Sequence, residues 1–198
     1  QVRPDVLIPR PETEFIVITA MDLAGSPGSD SSLRIADVGT GCGNIAICLA
    51  QQIPGSTIVG LDISPAALEV ARANVELHGM GEQVELLESD LLAAIDGPLD
   101  MIVSNPPYVS ESEYEQLERD VREFEPQLAL VAGPTGLETY QRLLPEAIEK
   151  LRPGGSLLLE TSPMVCPLLV ELVESSGRFG PVELTRDLAG HPRVVRSQ

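Results

Sequence analysis

In the stretch "LRIADVGTGCGN", residues 33–44, a strand-like run leads directly into Gly39, Gly41 and Gly43, and Asn44 opens a helical stretch. That stretch, "NIAICLAQQI" (44–53), is closed by Pro54 and Gly55. Strand, glycine turn and helix in this order form the opening unit of an α/β protein. The glycines allow a sharp turn and a close approach of backbone to ligand. Their spacing is G-x-G-x-G, not the G-x-G-x-x-G of dinucleotide folds. Asp37 stands two residues before the first of them. A carboxylate there is ill placed for a pyrophosphate and suits a ligand carrying an ammonium group.

Outward from this unit the alternation continues. "STIVGLD" (56–62) reads as a second strand, and Ser64-Pro65 as an N-cap with proline at the first helical position, leading a helix to Gly79. "QVELLES" (83–89) and "LDMIVSN" (99–105) are the third and fourth strands. Ser110 with Glu113 forms a capping box, which predicts a helix over "ESEYEQLERDV". Thr135 with Glu138 forms another, opening "GLETYQRLLPEAIEKL", in which Pro145 should interrupt or kink the helix. "SLLLE" (156–160), a helix near 164–176 and strands near 181–187 and 192–196 complete the pattern. The expected architecture is α/β: a Rossmann-like, doubly wound, seven-stranded, mostly parallel sheet with helices on both faces. Residues 1–32 form an N-terminal arm that ends in the flexible polar loop "GSPGSDSS" (25–32), and residues 33–198 form the main domain. Ligands of such sheets sit beyond the carboxyl ends of the strands, so residues just after strands carry the interest.

Composition narrows the function. The 198 residues suit one domain, and 43% hydrophobic residues suffice for a core. No apolar run is long enough to span a membrane, and the N-terminus has no signal-peptide character. A net charge of −17 repels phosphate backbones, so stable nucleic-acid binding is not expected. Cys42, Cys48 and Cys166 are odd in number and form no metal-type pair, which reads as free thiols in a reducing compartment. With only His78 and His191, far apart in sequence, no metal site and no Ser-His-Asp triad is spelled out. The expectation is a cytoplasmic monomer without membrane contact.

Acidic residues close the first three strands. Asp62 stands where an acid meets a ribose diol, and Asp90 where it could accept from an adenine amino group. A ribose, an adenine and a zwitterionic tail without phosphates describe S-adenosylmethionine better than NAD.

"IVSNPPYV" (102–109) ends the fourth strand in Asn105, Pro106, Pro107 and Tyr108. Asn105 and Pro106 both precede prolines, so the segment is extended and stiff. Prolines offer carbonyls without N–H donors, and the Asn105 side chain adds one acceptor and one donor. Such an acceptor-rich wall suits a planar NH₂ group, and Tyr108 can lie against a flat π-system. The implied chemistry is methylation of an amide or exocyclic amine by positioning, since no histidine lies nearby as a base.

These motifs, together with "VLIPRPETE" (6–14), "EPQLAL" (125–130), "GPTGLETYQRLL" and "GHPRVV", resemble the protein-(glutamine-N5) methyltransferases that act on peptide chain release factors. The resemblance covers nearly the whole chain. It implies transfer of a methyl group from S-adenosylmethionine, leaving S-adenosylhomocysteine, to the glutamine of a release factor's Gly-Gly-Gln loop. The resemblance implies that Gly39, Gly41 and Gly43 line the methionine part, Asp62 holds the ribose, and Asp90 with Leu91 borders the adenine, with Thr40, Cys42 and Ile63 among the further cofactor contacts. The Asn105 side chain, which also touches the cofactor, and the Pro106 carbonyl bind the glutamine amide beside Pro107, and Tyr108 packs against it. Pro11, Glu12 and Thr13 cover the cofactor mouth, or else belong to a buried arm. A nucleic-acid amino-methylase, acting on adenine N6 or guanine N2, would use the same acceptors, and a non-catalytic S-adenosylmethionine-binding protein would keep the same loop. Two departures stand out. The helical domain that family members carry ahead of "VLIPRPETE" is missing, which fits a shortened chain or a naturally short relative. "ETSPMVCP" (160–167) has Ser162 where the family tends to have glycine, and no glutamine follows.

Overall fold

The computed structural model describes residues 1–25 and 32–198. The expected flexible loop at 25–32 falls almost entirely outside these residues. The central sheet contains β1 (Arg34–Val38), β2 (Thr57–Asp62), β3 (Val84–Glu88), β4 (Leu99–Ser104), β7 (Leu151–Glu160), β8 (Glu183–Arg186) and β9 (Pro192–Ser197). Their spatial order is β3-β2-β1-β4-β7-β9-β8. Pairs from β3 through β7 are parallel, while β9 runs antiparallel to β7 and β8 antiparallel to β9. A separate pair, β5 (Val109–Ser110) with β6 (Val131–Gly133), has no counterpart in the sequence pattern.

Both faces of the sheet are buried along β1, β2, β4 and the second half of β7, which explains why these strands read as continuous apolar runs, while the edge strands β3 and β8 are more exposed. Alternate residues serve opposite faces: Ile35, Ile58, Met101 and Leu158 on one, Ala36, Val59, Ile102 and Leu159 on the other. The first face is covered by α1 (Glu14–Ala24), α2 (Asn44–Gln52) and α3 (Pro65–Leu77), through residues such as Ile16, Ala20, Leu49 and Val75. The second is covered by α6 (Glu138–Lys150) and α7 (Cys166–Ser175), with Tyr140, Leu143 and Leu169 fully enclosed. Helix α1 has no side-chain cap to announce it in the sequence, yet Ile16 and Ala20 are completely buried. Its burial, not its propensity, holds it.

Three expectations need correction. The helix predicted over 111–121 is two short helices, α4 (Glu111–Tyr114) and α5 (Arg119–Phe124), separated by turns. The Ser110–Glu113 capping box does form, but neither helix buries a residue, so nothing supports continuation. The second helix begins at Glu138 rather than at 136, because Gly136 adopts φ 82°, outside the helical region. Glu138 still accepts from the N–H and the hydroxyl of Thr135, at 2.8 Å each. Pro145 lies inside α6 without ending it.

Strand order reverses between β1 and β4. Crossovers leave β1 toward β2 on one side, and β4 leads to β7 on the other, which opens a crevice beyond their carboxyl ends. Val38 pairs with Ser104 at those ends, and the buried Ser104 hydroxyl donates to the Val38 carbonyl at 2.7 Å. This bond joins the glycine loop to the Asn-Pro-Pro-Tyr segment.

Candidate active site

A cavity of about 330 Å³ occupies that crevice, within the usual size of small-molecule sites (roughly 300–1,000 Å³). Its floor comes from Gly39, Thr40, Gly41 and Cys42 after β1, from Asp62 and Ile63 after β2, and from Asp90 and Leu91 after β3. Asn105, Pro106 and Pro107 form a wall after β4. Thr13 joins from the N-terminal segment, together with Val6, Leu7 and Pro9. These sequence-predicted residues are thus brought together from five separate parts of the chain.

Asp37, Gly43 and Tyr108 do not line the cavity. Asp37 lies wholly beneath the glycine loop, where its Oδ2 accepts from Thr40 Oγ1 at 2.7 Å and from the Ala46 N–H at 3.1 Å. It ties the loop to the first turn of α2. Burial pushes its carboxyl up to about 7, against the lowering effect of those two bonds. Its Oδ1 is buried without a partner among the described residues. Gly43 caps α2 at φ 80°, a conformation that favours glycine, and a Cβ there would press on that of Ala71 at 3.3 Å. Tyr108 is half-buried and packs against the core cluster that holds Tyr140 and Leu169. Burial, and then the charge of Glu160, push its phenol up to about 12.

Asp62 carries the loop's other anchor. Its Oδ2 accepts from the Gly41 N–H at 2.8 Å and its Oδ1 from the Ser64 N–H at 2.9 Å. Each oxygen retains a lone pair for a hydroxyl donor. Burial raises its pKa, opposed by the backbone N–H bonds. The Cys42 carbonyl is held from the other side by Asn74 Nδ2 at 2.8 Å. Asp90 differs from expectation: both its oxygens accept from Arg142 of α6, at 2.8 and 2.7 Å. Arg142 itself lines the cavity, a position that sequence spacing could not show. Leu91 has φ 51°, rare for a non-glycine residue, and its carbonyl accepts from Ser89 Oγ at 2.9 Å.

The Asn105 segment is braced from behind. The Val109 N–H donates to Leu130 and begins the β5–β6 pair. Gly136 presses so closely on Tyr108 that a Cβ there would lie 2.6 Å from the Tyr108 carbonyl oxygen. On the cavity side, Asn105 Nδ2 donates to Thr13 Oγ1 at 3.3 Å, and Thr13 Oγ1 donates to Glu160 Oε1 at 3.3 Å. Glu160, at the end of β7, opens the "ETSPMVCP" stretch, where the sequence drew attention to Ser162 and gave Glu160 itself no role. Across the mouth, Arg10 bridges to the buried Glu125 at 2.5 Å, which joins the N-terminal segment to the loop carrying Leu128 and Ala129.

The residues fit S-adenosylmethionine. The cavity offers carboxylate oxygens at Asp62, close backbone at the glycine loop and apolar surface at Ile63 and Leu91.

Fold and site together define a class I methyltransferase architecture, and residues 20–123 match the family described as Methyltransferase small domain. A methyltransferase of known structure from Pyrococcus furiosus superposes with a TM-score of 0.70 at 20% identity, over 100% of this chain and 86% of that one. That likeness bears on the fold alone. In sequence, a Rhodopirellula baltica protein named Release factor glutamine methyltransferase is 43% identical, over 100% of this chain and 68% of its own length. One of the same name from Gloeobacter violaceus is 41% identical, over 98% of this chain and 68% of its length. The chain belongs to the release factor glutamine methyltransferase family and spans about two thirds of the length of these relatives.

Proposed function

We propose that this chain transfers a methyl group from S-adenosylmethionine to the side-chain amide nitrogen of the glutamine in the Gly-Gly-Gln loop of a peptide chain release factor. The observation that carries this reading is the position of Asn105, Pro106 and Pro107 in the wall of the cavity floored by the glycine loop. The names of these relatives support the same substrate.

When bound, the cofactor supplies an activated methyl group on a sulfonium. Asp62 holds the ribose hydroxyls, the loop 39–42 takes the methionine part, and Ile63, Asp90 and Leu91 border the adenine. Asn105 Oδ1 and the Pro106 carbonyl accept from the two N–H bonds of the glutamine amide. That grip orients a nitrogen whose lone pair is delocalised, and orientation supplies up to about 7–11 kcal/mol in favourable cases. Tyr108 supports the segment from the core side, and Gly43 and Asp37 set the shape of the glycine loop. Residues 33–198 form the catalytic domain; of the N-terminal arm, the segment with Val6, Leu7, Pro9 and Thr13 closes over the cofactor, while α1 packs on the sheet. The enzyme works as a monomer in the cytoplasm, without membrane contact or stable nucleic-acid binding. No described helix is long and apolar enough to cross a membrane.

The test is methyl transfer from labelled cofactor to a release factor, to its Gln→Ala loop variant and to RNA, side by side. Label on the release factor alone is the expected result. Label on RNA, or on the Gln→Ala variant at the same level, would overturn the assignment.

A further inference from the structure

The hydrogen bonds behind Asn105 have a polarity that follows from counting protons. The Thr13 hydroxyl has one proton and lies 3.3 Å from a carboxylate oxygen of Glu160, which can only accept when ionised. The proton is therefore committed to Glu160. Thr13 Oγ1 can then serve Asn105 only as an acceptor, which makes the nearer atom of the Asn105 amide its nitrogen, also at 3.3 Å. The two ends of an asparagine amide are told apart by such a network. With the nitrogen held by Thr13, the oxygen is the end left for the ligand.

We infer that Glu160 is a positioning residue that, through Thr13, fixes the Asn105 amide with its acceptor end toward the substrate and so selects an NH₂-bearing side chain over a carboxylate. The inference rests on the proposed glutamine substrate and deepens it.

Three further observations support it. Glu160 is 2% exposed and Thr13 5%, so water does not compete for the relay. Glu160 does not line the cavity, and Thr13, which does, is the residue that hydrogen-bonds to its side chain. Arg193, whose charge acts on Glu160, is itself paired with Asp187 at 2.8 Å and Glu12 at 3.4 Å, and forms no salt bridge with Glu160 among the described residues. Glu160 Oε2 is buried with no partner among the described residues. Burial pushes the carboxyl up to about 7. With a proton on Oε2, Oε1 remains an acceptor for Thr13 and the relay keeps its direction.

Replacing Glu160 by an apolar side chain removes the acceptor. The Thr13 hydroxyl is then free to donate to the Asn105 oxygen, and the amide can turn its NH₂ toward the substrate. The experiment compares wild type, Glu160→Leu, Glu160→Gln, Thr13→Val and Thr13→Ser at saturating cofactor. It measures kcat and KM on a release factor, and inhibition by the same release factor with its loop glutamine changed to glutamate. Loss of an oriented hydrogen bond predicts a fall in kcat/KM of about 10–100-fold in Glu160→Leu and Thr13→Val. Glu160→Gln and Thr13→Ser, which keep an acceptor and a hydroxyl, should recover activity to within about fivefold. The preference for glutamine over glutamate should shrink in the two disabled variants, a change that simple loosening of the fold would not produce. Undiminished discrimination in Glu160→Leu, or equal weakening toward both loops, overturns the inference. If Glu160→Leu does not fold, Thr13→Val decides by the same readout. Absence of transfer by the wild type overturns the substrate assignment and this inference with it, whereas an active wild type with indifferent variants overturns this inference alone.

Discussion

The carboxylate of Asp62 accepts from the backbone N–H of Gly41 across 2.8 Å, joining the end of β2 to the glycine loop after β1. One side chain thus shapes the loop while still presenting lone pairs to the cavity. Replacing Asp62 with alanine should weaken S-adenosylmethionine by about 1.5–3 kcal/mol, the range for a charged hydrogen-bond partner. Titration calorimetry reads this directly, and an unchanged dissociation constant would contradict the role given to Asp62.

Asn105 stands at the other wall. Its replacement by alanine should abolish methyl transfer while S-adenosylmethionine affinity stays within about 1 kcal/mol, because the Asn105 side chain grips chiefly the substrate amide. Single-turnover assays beside calorimetry separate the two effects. Near-normal turnover would refute the assignment.

Gly136 presses on the Tyr108 carbonyl at φ 82°. A methyl group there must displace that carbonyl or the turn that bears it. Gly136→Ala should cost about 1–3 kcal/mol of stability as an overpacking change, and it should lower transfer by shifting the segment that follows Asn105. Chemical denaturation gives the first quantity. A variant as stable and as active as wild type would show that the close approach is without consequence.

Burial of Asp37 raises its carboxyl from an ordinary 3.8 to about 7. The folded state therefore binds the proton more tightly than the unfolded chain. The stability gained from that proton is complete below about pH 4 and is lost as pH rises through about 7, at up to about 1.4 kcal/mol per pH unit for one group. Glu160, raised by burial from 4.5 to about 7, acts in the same sense. Asp187 and Glu138 are shifted downward from 3.8 and 4.5, so their opposing effect falls at lower pH. Urea unfolding of the ligand-free protein should show stability declining from pH 5 to pH 8. Asp37→Asn should flatten that decline, and equal slopes in the two proteins would exclude Asp37 as a source.

Much of this molecule is legible along the chain. The strands and the helices after β1 and β2 follow from local pattern, because a strand buried on both faces is a continuous apolar run and Ser64-Pro65 is a helix start in itself. The glycine loop, Asp62 and the Asn-Pro-Pro-Tyr segment follow too, since their backbone and hydrogen-bonding capacities belong to the residue types. Tertiary structure decided what depends on neighbours distant in sequence. Helix α1 exists because Ile16 and Ala20 find a buried face, and the helix expected over 111–121 breaks because α4 and α5 find none. Tyr108 packed against the core, Asp37 sank beneath the loop, and Asp90 met Arg142, a partner 52 residues away. Glu160 entered the site through Thr13, 147 residues away. Residue type determines what a group can accept or donate, but only the folded chain determines which partner stands within 3.3 Å of it.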